Sequence, residues 1–220
     1  MKRYALYYAP PAGAFAEAAA RWLGRDAVTG ETFTQPHPDL FGLSVSARRY
    51  GFHATLKAPF RLAEGQSADN LIEAASVFAA GNSAFAIEGL EVAEMDGFLA
   101  LRPMGDTTAL DAFAAQVVAR FERFRAPMTA EERARRRPEL MTERQRALLD
   151  SYGYPYVLEE FRFHMTLSDR LSRAQMDALR PLAEAHFAPV LERPFAIGGL
   201  AVFGEDADGV FHQLHRATLG

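Results

Sequence analysis

The sequence predicts an α+β fold built from two similar halves. A His-x-Thr-Leu string occurs twice, as His53-Ala54-Thr55-Leu56 and His164-Met165-Thr166-Leu167. A Phe-Ala-Ile string follows each one, at 85–87 and at 195–197. The histidines are 111 positions apart and the Phe-Ala-Ile strings 110 apart, with a helical pattern between the two strings of each half. Each half therefore has the order strand–helix–strand–strand, which is typical of α+β lobes with mainly antiparallel sheets.

The segment before the first string predicts a strand and a helix. Residues 3–9 are rich in tyrosine and alternate weakly, and Pro10-Pro11 ends the pattern. Residues 12–23 have helical spacing, and Gly24 is placed to cap the helix end. Residues 25–47 contain many turn formers, so we expect an irregular connection there.

The first half predicts a strand, a helix and a hairpin. The strand covers 49–58 and should stop at Pro59. The helix covers 69–80, with Ser67 or Asp69 near its start and Gly81 after its end. Residues 84–93 and 97–103 form a hairpin around Asp96-Gly97, a strong turn signal.

A different pattern separates the two halves. Residues 107–149 predict two or more helices, with a capping box opening at Thr129 and an interruption at Pro138. The second half then predicts a strand at 160–168, a helix from Ser172 to about 187, and a hairpin from 194–203 and 209–217. We expect a single bilobal domain over 1–220: a strand and helix at 3–24, one lobe at about 49–104, a helical connector at about 107–150, and a second lobe at about 160–217.

Composition excludes several classes of protein. Nearly half of the residues (49%) are hydrophobic, which is enough for a core, and no apolar run reaches the length of a membrane span. The chain has no cysteine, which excludes disulfides and thiolate chemistry. With no export signal, cytoplasm is the expected location. The net charge of −4 argues against long nucleic acid as a partner.

The two strings place polar groups on one side of a strand, because side chains alternate with period two. The predicted polar face of the first strand carries Arg49, Gly51, His53, Thr55 and Lys57. The predicted polar face of the second carries Arg162, His164, Thr166 and Ser168. The opposite faces are apolar in both strands, so each strand should cover a core on one side and present these polar groups on the other.

These polar faces suit a phosphate. Arginine and lysine neutralise its charge, and hydroxyl groups donate to its oxygens. Two imidazoles around the phosphorus can divide the proton transfers, because the unperturbed pKa near 6.5 allows neutral and protonated forms at neutral pH. The scheme requires no metal and no cofactor. The other histidines, at 37, 186, 212 and 215, lack metal-ligand spacing.

The paired strings resemble those of the 2H phosphoesterase superfamily, which includes 2′,3′-cyclic nucleotide phosphodiesterases and RNA 2′-5′ ligase-like proteins. The motif pair and repeat cover about 49–104 and 160–217. The wider strings 49–60, 152–156 and 22–26 resemble one branch encoded beside phosphonate-degradation genes. The resemblance implies two lobes around a central groove, His53 and His164 as the catalytic pair, and Thr55 and Thr166 as phosphate-binding partners. Lys57, Arg49, Arg162 and Ser168 are added by the face argument alone.

The main hypothesis is a metal-independent hydrolase of a small cyclic phosphodiester, with a phosphoribosyl cyclic phosphate as a candidate substrate. A second hypothesis is action on an RNA 2′,3′-cyclic end or a 2′-5′ linkage. A third is a phosphate-binding protein without turnover. The basic cluster at 133–137, flanked by glutamates, is interpreted as a solvated, ion-paired helix face rather than an RNA site. Which histidine is the acid stays open.

Overall fold

The computed structural model describes residues 1–220. The strands are β1 (Tyr4–Tyr8), β2 (Ala54–Phe60), β3 (Phe85–Ile87), β4 (Gly89–Met95), β5 (Phe98–Met104), β6 (Met165–Thr166), β7 (Phe195–Ile197), β8 (Gly199–Glu205) and β9 (Phe211–Thr218). The α-helices are α1 (Ala14–Leu23), α2 (Leu40–Leu43), α3 (Val45–Tyr50), α4 (Ala68–Ala80), α5 (Thr108–Phe121), α6 (Ala130–Arg135), α7 (Glu143–Tyr152) and α8 (Arg173–Phe187). The predicted α+β class is confirmed.

Seven strands form one antiparallel sheet in the order β4-β5-β6-β2-β1-β8-β9. The halves of the sequence interlock in it, because the β4–β5 hairpin of the first half pairs with β6 of the second. On the other side, β1 pairs with both β2 and β8, so the β8–β9 hairpin of the second half lies next to β1. The two strands that follow the histidines, β2 and β6, are therefore neighbours at the middle of the sheet.

Repeat-equivalent residues meet each other directly. Ala54 pairs with Met165 between β2 and β6, and both residues directly follow the histidine of their string. Ala86 pairs with Ala196 between β3 and β7, which form a separate two-stranded sheet from the two Phe-Ala-Ile strings. Both contacts run antiparallel, so corresponding positions of the paired strings lie opposite each other.

The strands that carry the two strings differ from their predicted bounds. Residues 45–50 form helix α3, rich in helix-forming Ala and Arg, and Gly51 ends it with a positive φ of 76°. The strand that follows begins only at Ala54 and continues through Pro59, which lies where the pairing register shifts, a position that tolerates proline. The strand predicted at 160–168 is reduced to Met165–Thr166, because the chain enters it from a 3₁₀ turn at Leu158–Glu160.

The core lies mainly on the face of the sheet covered by α1, α4, α5 and α8, where most buried apolar side chains form one cluster. A second, smaller cluster includes Tyr7, Phe203 and Phe211 and lies beneath the histidines. The capping box predicted at Thr129 is present, and Ser172, the predicted start of the last helix, forms another. None of the helices combines the length and the apolar character needed to cross a membrane.

Candidate active site

The pairing of β2 with β6 sets the relation between the two histidines. Ala54 lies opposite Met165, so carrying the antiparallel register one residue further in each direction places His53 opposite Thr166 and Thr55 opposite His164. Each histidine thus faces the threonine of the other half. The histidines are diagonal neighbours, a relation that separates backbone positions by about 7–8 Å and leaves room for a small group between the rings.

Both imidazoles are anchored in the same way by the backbone two residues earlier. The Nδ1 atom of His53 lies 2.8 Å from the carbonyl oxygen of Gly51, and that of His164 lies 2.7 Å from the carbonyl oxygen of Arg162. A carbonyl oxygen only accepts, so Nδ1 carries the proton in both rings and donates. Each neutral ring therefore keeps its lone pair on Nε2, and at His53 this atom lies 3.2 Å from the Thr55 hydroxyl.

The two histidines differ in their electrostatic surroundings. Burial lowers the pKa of His53 to about 4, against the opposing effect of the hydrogen bond to Gly51, and the charge of His164 lowers it further. Burial also lowers the pKa of His164, to which Arg162 and Arg102 add, while the Asp96 carboxylate raises it. No carboxylate acts on His53 in this way. His53 is therefore held neutral at neutral pH, while the Asp96 carboxylate favours the protonated form of His164.

Tyr7 supports His53 from below and has an unsatisfied hydroxyl. Its ring is stacked on the imidazole with 3.8 Å between centroids and an angle of 23°. The side chain is fully buried and its hydroxyl oxygen has no hydrogen-bond partner, and the residue is among those that line the cavity in front of His53. Burial raises the pKa of this hydroxyl well above its ordinary value, so it remains protonated and can donate. A buried, unused donor of this kind costs stability unless a ligand satisfies it.

Arg102 is the counterpart on the side of His164. Thr166 pairs with Ala100 and Met165 with Leu101, so the register places Arg102 opposite His164 on the same face of the sheet. Its Nε atom is buried and has no partner. The hydroxyl of Tyr7 and the Nε of Arg102 are the two buried side-chain polar atoms of the chain that lack a hydrogen bond. They flank the histidine pair on opposite sides.

The space in front of the histidines consists of two adjoining cavities. One, of about 300 Å³, is lined by His53, Thr166 and Tyr50. The other, of about 210 Å³, is lined by His164 and Arg162. Both cavities are lined by the same four side chains: Thr55, Phe98, Tyr154 and Arg170. Together they form a groove across the β2–β6 junction with one histidine in each part.

Lys57 does not reach this groove, although the period-two alternation of the strand predicted it on the polar face with His53. Tyr7 pairs with Thr55 but its neighbour Leu6 pairs with Lys57, so Leu56 is an extra residue that bulges from the ladder. A bulge breaks the period-two alternation and turns the following side chain to the other face. Lys57 is buried there, and its ammonium group lies 2.6 Å from the carboxylate of Glu122, after α5.

Some of the other predicted side chains line the groove and others lie outside it. Arg49 lies on helix α3 rather than on the strand, where it is exposed and donates to the hydroxyl of Tyr50 at 3.1 Å. Arg162 lines the groove and is paired with Asp96 at 2.9 Å. Ser168 lines it too, but its buried hydroxyl accepts from the Leu99 amide and donates to a carbonyl, so it holds the backbone. Thr55 and Thr166 both line the groove.

Several groove residues were not predicted from the sequence, among them Arg170, Tyr7 and Tyr154. Arg170 continues the alternation of Thr166 and Ser168 by two more positions, so extending the polar face would have found it. Tyr7 and Tyr154 carry no such signal, because they come to the groove from β1 and from the segment after α7. No group of three or more metal-ligating side chains is present, and the other histidines hold structural contacts, such as His186 with the carbonyl of Ala18 at 2.8 Å.

Comparison with known families adds an identification. A family model described as "Protein of unknown function (DUF1045)" matches residues 55–212. The chain belongs to this family. The matched range begins within the first string and covers the second, so the family model includes Thr55, Thr166 and His164 of the groove.

Two curated relatives of this DUF1045 chain carry the same name, "Ribose 1,5-bisphosphate phosphokinase PhnN". The one from Janthinobacterium sp. (strain Marseille) is 41% identical over 95% of this chain and 49% of its own length. The one from Laribacter hongkongensis (strain HLHK9) is 33% identical over 97% of this chain and 51% of its own length. The chain spans about half the length of the curated relatives it matches.

Solved structures similar to this DUF1045 chain have low sequence identity. The protein TT0787 of Thermus thermophilus matches with a TM-score of 0.46 and 14% identity over 99% of this chain and 97% of that one. Escherichia coli LigT complexed with 3′-AMP matches with a TM-score of 0.44 and 16% identity over 99% of this chain and 97% of that one. A structure titled "Crystal structure of phosphoesterase" matches with a TM-score of 0.43 and 14% identity over 100% of this chain and 99% of that one. Each match extends over nearly the full length of both chains.

Proposed function

We propose that this protein is a metal-independent phosphoesterase that hydrolyses a small cyclic phosphodiester, with His53 as general base and His164 as general acid. The observation that carries the proposal is the matched anchoring of the two rings. Each Nδ1 donates to the backbone carbonyl two residues earlier, and the two histidines are diagonal neighbours across the β2–β6 pair. Such a fixed pair of nitrogen atoms suits proton transfer on two sides of one phosphorus.

The attack step uses His53. Its low pKa keeps Nε2 unprotonated at neutral pH, so it can take a proton from a water molecule as the water oxygen bonds to phosphorus. The Thr55 hydroxyl, which is 3.2 Å from this atom, holds the ring and can turn to a phosphate oxygen when substrate enters. After the step the imidazole carries the proton and is stabilised by the phosphate anion beside it.

The departure step uses His164. The bond between phosphorus and the ring oxygen breaks as Nε2–H of the protonated imidazole gives its proton to that oxygen. A bound phosphate anion raises the pKa of a neighbouring imidazole, and the nearby Asp96 favours the protonated form of His164. Because the charge of His164 disfavours protonation of His53, the pair holds one proton in this scheme, and it resides on His164 at the start of the reaction.

The charge of the phosphate is met by donors around the pair. Thr55 and Thr166 offer hydroxyls, and the Tyr7 hydroxyl is a donor without a partner in the free protein. Arg102, which lies opposite His164 in the register, adds positive charge from outside the groove lining. Arg170 lines both cavities. Donors that are already in place and unsatisfied stabilise negative charge that develops on the oxygens during the reaction.

The substrate class is suggested by the curated relatives. Their name specifies ribose 1,5-bisphosphate, a sugar with two phosphates. Opening the 1,2-cyclic phosphate of ribose 5-phosphate at the 2-oxygen yields that same compound. We therefore propose a phosphoribosyl cyclic phosphate as the substrate, with the bond to the 2-oxygen broken and the 1-phosphate retained.

A turnover assay tests this function. Purified protein in EDTA is given ribose 5-phosphate 1,2-cyclic phosphate, and phosphorus NMR follows the ring opening. We expect ribose 1,5-bisphosphate to accumulate with EDTA present. Turnover of a nucleoside 2′,3′-cyclic phosphate at a higher kcat/KM would assign the protein to RNA ends instead, and binding of all these compounds without turnover would make it a phosphate-ligand binding protein.

A further inference from the structure

A third cavity, of about 690 Å³, adjoins the part of the groove that contains His53. Tyr50 and Pro59 line both spaces, so the two adjoin at these residues. The Tyr50 ring lies 6.1 Å from the His53 ring, centroid to centroid. The third cavity therefore begins beside a residue whose ring neighbours that of His53.

The third cavity is strongly basic. Six arginine or lysine side chains and two glutamates line it, although the chain as a whole carries a net charge of −4. Three of the arginines are bound by carboxylates: Arg3 by Glu205, Arg61 by Glu132 and Arg125 by Glu122. Lys2 is bound by the carbonyl of Ala207. Two arginines remain without a carboxylate.

These two, Arg135 and Arg136, follow one another at the end of helix α6. Arg135 donates only to the carbonyl of Glu131, at 3.3 Å, and the nearby Glu132 is already held by two hydrogen bonds from Arg61. The Arg136 guanidinium lies 5.5 Å from the centre of the Tyr154 ring, which lines the groove. The basic cluster at 133–137 was interpreted as a solvated, ion-paired helix face, and in the structure Arg133 has a carboxylate partner there, Asp150 at 2.7 Å.

We propose that this cavity binds a second phosphate of the substrate, a terminal phosphomonoester dianion, through Arg135 and Arg136. Guanidinium groups bind phosphate oxygens in pairs, and two without a carboxylate partner in the lining of one cavity match a dianion. The proposal rests on the proposed function for the position of the first phosphate. It also gives the connector between the halves a role, since α6 and the segment after α7 carry Arg135, Arg136 and Tyr154.

The kinetic test compares two substrates that differ only in the terminal phosphate: ribose 1,2-cyclic phosphate with and without a 5-phosphate. The double variant Arg135→Gln, Arg136→Gln should raise KM for the 5-phosphorylated compound about tenfold, as expected for losing charge-assisted hydrogen bonds. Its kcat, and its KM for the other compound, should stay unchanged. The control Arg137→Gln removes the adjacent charge, which does not line the cavity, and should change neither. Equal effects on both substrates, or no effect on either, would overturn the proposal.

A binding measurement decides the subsite even if neither compound is hydrolysed, which would be a failure of the proposed function alone. Titration calorimetry with ribose 5-phosphate should show binding to the wild type and to His53→Ala, and about tenfold weaker binding to the double variant. A parallel titration with inorganic phosphate shows whether the subsite prefers a phosphate attached to the sugar over a free phosphate ion. Equal affinity of the wild type and the double variant for ribose 5-phosphate, or tighter binding of inorganic phosphate, would overturn the subsite.

Discussion

The two histidines come from the same four-residue string, yet they occupy different environments. His53 is stacked on Tyr7 of β1 and has its pKa lowered to about 4. His164 lies opposite Arg102 of β5 and beside the Arg162–Asp96 ion pair. Both rings share the Nδ1 hydrogen bond to the backbone carbonyl of the residue two positions earlier. The neighbouring strands, which belong to other parts of the chain, supply what differs and so divide the roles.

The largest expected effect comes from removing either ring. His53→Ala and His164→Ala should each lower kcat by about 10²–10⁴-fold, because each removes one proton-transfer group. The secondary-structure content of both variants, measured by circular dichroism, should be unchanged. His37→Ala, in an exposed loop away from the groove, serves as the control and should keep full activity. Wild-type turnover in either groove variant would contradict the proposed pair.

The second effect concerns stability against pH. The pKa of His53 falls from 6.5 to about 4 on folding, so the unfolded chain binds a proton that the folded one does not between these values. The contribution of this group to the free energy of unfolding is therefore fully present above pH 6.5. It decreases by about 3 kcal/mol as the pH falls towards 4. Urea unfolding of wild type and His53→Gln at several pH values measures it.

In that experiment the variant should lack this part of the acid destabilisation, so the difference between the two proteins should shrink or change sign from about pH 7 to about pH 4. Parallel pH dependences in the two proteins would show that His53 titrates normally. The assignment of His53 as the neutral partner would then lose its basis.

The third effect separates function from stability at Tyr7. Tyr7→Phe should lower kcat/KM about tenfold, the value of one hydrogen bond to a charged group, while raising the free energy of unfolding by about 1 kcal/mol. The rise is expected because the hydroxyl is buried without a partner. Tyr8→Phe is the matched control, since Tyr8 packs on the opposite side against Phe163 and Phe195. Reduced stability of Tyr7→Phe with full activity would argue against a donor role.

The smallest effect on catalysis is expected at Lys57. Lys57→Met removes the buried ion pair with Glu122, which keeps Arg125 as a partner, so the free energy of unfolding should fall by about 1–2 kcal/mol. The kcat/KM should stay within about twofold of wild type, because the ammonium group does not line the groove. A large rise in KM at unchanged stability would instead show that Lys57 reaches the substrate.

The sequence predicts the α+β class, most helix bounds and the two histidines, because these depend on periodicity and on a repeated motif. The polar face of the first strand is only partly predictable. His53 and Thr55 lie in the groove, but the bulge at Leu56 removes Lys57 from it, and bulges have no clear local signal. Tyr7, Arg102 and Tyr154 depend on which distant strands become neighbours. The pairing of the β4–β5 hairpin with β6, and of β8 with β1, is decided by tertiary packing.

The division of labour between the histidines is tested most directly by changing the leaving group. A phosphodiester with a p-nitrophenolate leaving group needs no proton on departure, whereas a ribose oxygen does. We predict that His164→Ala loses far less activity on the p-nitrophenyl ester than on the cyclic ribose phosphate, while His53→Ala loses about the same on both. The opposite pattern, with recovery in His53→Ala and not in His164→Ala, would contradict the assignment of base and acid.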